Sequence, residues 1–141
     1  MTPPVNYMAV IAAAIVSIVL GFIWYGPLFG KQWMSAMGFT KEHMDKAKAK
    51  GMTMNYILMA VGSLVMAYVL SHVTSFAMAY MKVTGYSAGL SSGFWIWLGF
   101  IAPVTMGDQL WGGKPWRLFP IVAGYYLVSL MAMGALLAAW K

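Results

Sequence analysis

A chain of 141 residues that is 62% hydrophobic and 9% charged cannot clothe a water-facing surface, since soluble domains carry about 25% charged side chains. The composition excludes a soluble globular domain and points to a single-domain membrane protein. The net charge of +6 implies no nucleic-acid partner, because lysines gathered in loops are what membrane topology demands; the absence of cysteine excludes disulfides, thiolate metal sites and cysteine nucleophiles.

Charged residues are missing from 1–30, 83–107 and 118–140, and 51–81 has no Asp, Glu, Lys or Arg and one histidine, His72. A span needs about 20 apolar residues, at a rise of about 1.5 Å, to cross a core of about 30 Å. The chain therefore reads as an all-α bundle of four transmembrane helices, about 5–25, 56–81, 88–106 and 115–140, with a basic loop at 30–55.

Thr2-Pro3-Pro4 is a short extended start. The first apolar run lacks the positive leader of a cleaved signal peptide and is long enough to stay as a span. Ala9, Ala13, Ser17 and Gly21 are spaced four apart on one face, a small-residue stripe that lets another helix approach closely. Pro27 is expected to end this helix, because Gly26 before it is pushed away from helical geometry. Trp24, Tyr25 and Trp33 suit a membrane interface, and Phe29, Trp33 and Met37 repeat at helical spacing. A short interfacial helix between the first two spans is expected, with its aromatic residues read as an anchor in preference to a ligand site.

Thr40 to Gly51 is the only soluble-looking segment. Thr40 can cap a short helix, Glu42 and Asp45 sit near its positive end, Lys46, Lys48 and Lys50 near its negative end, and Gly51 can stop it. His43 with the two carboxylates has poor spacing for a metal, and no metal or cofactor is expected. In the second span Ser63, Ala67 and Ser71 form another small-residue stripe. His72 is an intramembrane ionisable group and so a functional candidate; with no carboxylate in the spans, the preferred reading is a neutral imidazole hydrogen-bonded to a neighbouring helix, or one reaching the interface. The third span opens on Gly89 and Gly93, a close-packing pair, and Pro103 is expected to kink it. A polar hinge follows at Gly107–Phe119, holding Asp108, Trp111, Lys114, Trp116 and Arg117. Pro115 suits the first turn of the last span.

The loops after the first and third spans hold Lys31, Lys41, Lys46, Lys48, Lys50, Lys114 and Arg117, against Lys82 and Lys141 on the other side. That bias predicts cytoplasmic basic loops and both termini outside. Trp24, Lys31, Trp33, Asp108, Trp111, Lys114, Trp116 and Arg117 then share one surface. There they can hold an anionic lipid headgroup, with Asp108 pairing with a cation, or simply fix depth and orientation. The two tryptophan-bracketed segments also hint at a two-fold internal repeat.

One set of residues runs through nearly the whole chain: Asn6-Tyr7; Trp24-Tyr25-Gly26-Pro27-Leu28-Phe29-Gly30-Lys31 with Trp33; Gly38 with Thr40; Trp97-Leu98-Gly99-Phe100; Gly107-Asp108; Gly113-Lys114-Pro115 with Leu118-Phe119; Gly124-Tyr125-Tyr126-Leu127-Val128-Ser129; Met133-Gly134-Ala135; and Trp140. Together they resemble domain-of-unknown-function family 1761, small bacterial membrane proteins. The resemblance implies a multi-spanning inner-membrane protein and no established activity. Where it implies an asparagine and a histidine in the last span, this chain has Val122 and Tyr126, which leaves any family-wide polar site there without its residues.

Three functions stand in order. The first is a non-enzymatic structural or accessory subunit that self-associates or joins a larger membrane complex, motivated by stripes that exceed what four helices need. The second is a small carrier, channel or binding protein for a small or lipid-like molecule, using the basic-aromatic cluster and anionic lipids as partners. An enzyme comes last, since one carboxylate near the spans makes no acid–base pair.

Overall fold

The computed structural model describes residues 5–140, so the expected extended start at Thr2–Pro4 and the charge at Lys141 lie outside the described residues. Four helices are long and apolar enough to cross a membrane: Tyr7–Leu28, Thr53–Met81, Tyr86–Gly112 and Leu118–Ala139. No strand occurs among the described residues.

The Asn6 side chain accepts the Ala9 N–H at 3.2 Å and opens α1, Tyr7–Ile23. Pro27 does not end this span. The helix runs on as a π-helical turn, Trp24–Leu28, in which the Phe29 N–H bonds the Trp24 carbonyl five residues back at 2.8 Å. The wider register absorbs a residue that has no N–H to give. Gly30 then starts α2, Gly30–Met37. A Cβ on Gly30 would lie 2.7 Å from the Tyr25 carbonyl oxygen, so this tight turn requires glycine.

α2 stops at Gly38, at φ 74°. Thr40 Oγ1 accepts the His43 N–H at 3.1 Å and caps α3, Lys41–Ala49. The soluble-looking segment is thus a second short helix, carrying an exposed Glu42–Lys46 pair at 3.6 Å. α4 covers Thr53–Met81. The third span joins α5, Tyr86–Ile96, through a second π turn, Trp97–Ile101, to α6, Ala102–Gly112. Pro103 falls just after that turn, where the bonding register is already interrupted. The polar hinge is shorter than its sequence: α6 continues to Gly112 and breaks at Gly113, φ 68°. Asp108 and Trp111 therefore stand on a helix, and α7, Leu118–Ala139, begins three residues after Pro115.

Side chains sort by size opposite to a soluble core. Ala9, Ala13, Ser17, Ser63, Ala67 and Ser71 are buried, while Ile11, Ile15, Val19 and Phe22 on the other face of α1 are exposed. In a bilayer large apolar groups gain nothing by turning inward, so small residues take the helix contacts. α5 and α7 meet backbone to backbone: a Cβ on Gly89 would strike the Gly134 carbonyl, and one on Gly93 the Leu130 carbonyl. Gly21 lies against the Tyr125 ring. The stripes that suggested association are therefore used inside this one bundle.

Two contacts align the ends. Asn6 Nδ2 donates to the Trp140 carbonyl at 3.4 Å. Arg117 Nη2 donates to the Ser35 carbonyl and to Ser35 Oγ, each at 3.2 Å. The basic segments 30–52 and 113–117 are thereby brought to the same end of the bundle.

Candidate functional site: a cavity at the basic end

Where α1 turns into α2, the chain leaves a gap against the start of α7. The gap is a cavity of about 700 Å³, within the roughly 300–1,000 Å³ of small-molecule sites. Its wall is apolar, made by Trp24, Phe29, Pro120 and Ile121 over Gly124. Its rim is polar, made by Lys31, Gln32, Ser35 and Arg117.

Trp24, Phe29 and Gly124 each have a reason for their position in the wall. Trp24 Nε1 donates to the Ile121 carbonyl at 2.8 Å, which fixes the indole across the α1–α7 seam. Phe29 leans on it with ring centroids 4.8 Å apart. Gly124 leaves room for the indole, since a Cβ there would come within 3.2 Å of a ring carbon. Lys31 and Ser35 are one helical turn apart on α2, so both reach the same side, and Ser35 holds the Arg117 guanidinium through one nitrogen.

Of the residues singled out by sequence, Trp24, Lys31 and Arg117 line this cavity. Trp33 instead joins a ring series, 5.6 Å from Tyr25 and 5.4 Å from Phe39. Trp116 sits with its ring 6.1 Å from Phe119, and Trp111 is 91% exposed. The side chains of Asp108 and Lys114 are exposed and form no hydrogen bond or ion pair among the described residues; the Arg117 partner is Ser35. The expected hydrogen bond of His72 to a neighbouring helix is not the one formed: it bonds the Tyr68 carbonyl one turn back on its own helix at 3.0 Å and lies edge-on to the Tyr68 ring at 4.6 Å. No group of three or more His, Asp or Glu converges among the described residues.

Sequence reasoning missed Gln32, Ser35, Pro120, Ile121 and Gly124. Only the four-residue step from Lys31 to Ser35 signalled that the two act together. It also missed Gln109, which is buried. With its amide turned to satisfy both ends, Gln109 donates to the carbonyls of Lys114 at 3.2 Å and Pro115 at 2.8 Å and so ties down the hinge. A further polar cluster joins α1 to α7. Tyr125 donates to the Ser17 carbonyl at 2.8 Å, and Ser129 Oγ to Ser17 Oγ at 2.9 Å. Both serines are buried and satisfied, so the cluster works as a pin.

A family model described as a protein of unknown function (DUF1761) matches residues 8–138. No curated protein and no solved structure matches the chain.

Proposed function

The chain belongs to the DUF1761 family, and from that premise we propose that it binds or carries a small, lipid-like molecule with an acidic head in the cavity at its basic end. One observation carries this reading: two cations from separate elements, Lys31 of α2 and Arg117 ahead of α7, both line one mainly apolar cavity. Apolar walls with a few converging polar groups are the usual form of a ligand site. The membrane is the bacterial inner one, with the basic end in the cytoplasm and both termini outside, and anionic lipids of that leaflet are partners.

Native mass spectrometry of protein extracted gently from its own membrane tests this. The expected result is a retained small-molecule mass on the wild type that is lost from the K31A/R117A double variant. A wild type free of any adduct, or one whose adduct survives both substitutions, overturns the reading.

An accessory subunit that self-associates or joins a larger complex is the second reading. Its support is the uncovered face of the third span, where Phe100, Val104, Leu110 and Trp111 are exposed. The same spectrum decides it: foreign subunits or multiples of 15.5 kDa favour association, and a lone monomer removes it.

A further inference from the structure

We infer that the cavity takes a phospholipid, with the headgroup phosphate held by Arg117 and Lys31 and an acyl chain laid along Trp24, Phe29 and Ile121. This rests on the lipid-like reading above and names its ligand class, together with Ser35 as the residue that positions the guanidinium.

The rim is cationic and contains donors. Lys31, Gln32, Ser35 and Arg117 line it and no carboxylate does. The two acids of α3, Glu42 and Asp45, and Asp108 of α6 are not among the lining residues. A headgroup carrying its own ammonium meets two like charges there with no counter-charge. A headgroup whose only charge is its phosphate meets complementary charge.

Arg117 is held and yet available. Only Nη2 is engaged, by the carbonyl and hydroxyl of Ser35. Nε and Nη1 make no hydrogen bond among the described residues. A guanidinium has five N–H donors in a fixed plane, so fixing one nitrogen orients the rest. The Ser35 hydroxyl accepts from Arg117 and keeps its own proton to donate. A tetrahedral phosphate can accept from Arg117 on one side and from Lys31 on another, whereas a planar carboxylate offers two oxygens in one plane.

The end of α7 adds nothing to this. The Leu118 and Phe119 N–H groups are spent on the Pro115 and Trp116 carbonyls, at 3.0 and 3.1 Å, and Pro120 has none. Anion binding therefore falls to side chains, which single substitutions can remove. Free phosphate would leave the apolar wall empty, and that wall is most of the cavity.

The test is a titration of the purified, delipidated full chain in neutral detergent, read by native mass spectrometry. The probes are phosphatidylglycerol, phosphatidylcholine, oleate, glycerol phosphate and inorganic phosphate. The wild type should hold phosphatidylglycerol about tenfold or more tighter than phosphatidylcholine or oleate, and neither water-soluble phosphate should displace it at millimolar concentration. R117K keeps the charge but loses the planar donors, and should weaken phosphatidylglycerol about ten- to hundredfold. S35A should weaken it by a smaller factor, and S35T, which restores the hydroxyl, should recover it.

Equal binding of oleate and phosphatidylglycerol, indifferent to R117K, overturns the phosphate inference and leaves the lipid-like reading intact. Equal binding of phosphatidylcholine overturns it too. Displacement by glycerol phosphate or inorganic phosphate overturns the lipid source of the anion. No binding of any amphiphile to the wild type removes both readings. The wild-type comparison needs no variant, so a variant that fails to fold leaves the inference exposed to refutation.

Discussion

Trp24 and Trp97 each open a π-helical turn and each donate an indole N–H to a carbonyl of α7, Ile121 at 2.8 Å and Ala123 at 2.7 Å. π turns are rare and occur frequently at functional sites, and here the tryptophans that open the two turns reach the same stretch of the last span. Polar contacts between membrane helices are worth about 0.6–2 kcal/mol. W97F keeps an aromatic ring and removes the donor, so it should lower stability by about 1 kcal/mol in reversible unfolding from detergent; an unchanged midpoint would show that the indole contributes packing alone. His72 is the contrast. Its hydrogen bond goes to Tyr68 in its own helix, so H72F should shift the same midpoint by no more than about 0.5 kcal/mol. A loss of 2 kcal/mol or more there would mean that the imidazole serves another helix.

The contact that holds the elements together most closely is Gly89 on Gly134, where each backbone fills the place of the other's side chain. G89A should therefore force α5 off α7 and cost roughly 2 kcal/mol or more, read as a fall in the thermal midpoint. G62A is the matched control, because nothing lies within 4 Å of a Cβ there and alanine is the better helix former; it should leave the midpoint unchanged or raise it slightly. The glycine spacing was legible in the sequence, but its destination was not, because a small-residue stripe fits a helix of the same chain and of another copy equally well. Hydropathy gave the four spans. It misplaced the breaks at Pro27 and in the hinge, because a proline signals a missing donor and cannot say whether a π turn will absorb it. Lys31 and Arg117 were legible as cations near the surface. Gln32, Ser35, Pro120, Ile121 and Gly124 were not legible as their companions, since that depends on how α2 folds back toward α7 after Gly30.

At the scale of the whole molecule the bundle is polar along its axis. The Arg117–Ser35 contact ties both basic segments to one end, and Asn6 meets the Trp140 carbonyl at the other. Within the described residues the second end has Lys82 as its only Lys or Arg, in the short link after α4. A cytoplasmic basic end is the arrangement that the positive-inside bias favours, and it places the cavity rim at the leaflet richest in anionic lipid. The chain contains no cysteine, so single cysteines report position without background. K46C, on α3, should resist a membrane-impermeant maleimide in intact cells from which any outer barrier has been stripped, and label only after the inner membrane is opened. T84C, between α4 and α5, should label before opening. If K46C labels first, the bundle is inverted, the cavity opens to the outer leaflet, and a ligand drawn from cytoplasmic anionic lipid is no longer within reach. If both behave as expected, the cationic rim and the anionic lipid proposed to bind there lie on the same side of the membrane, which such binding requires.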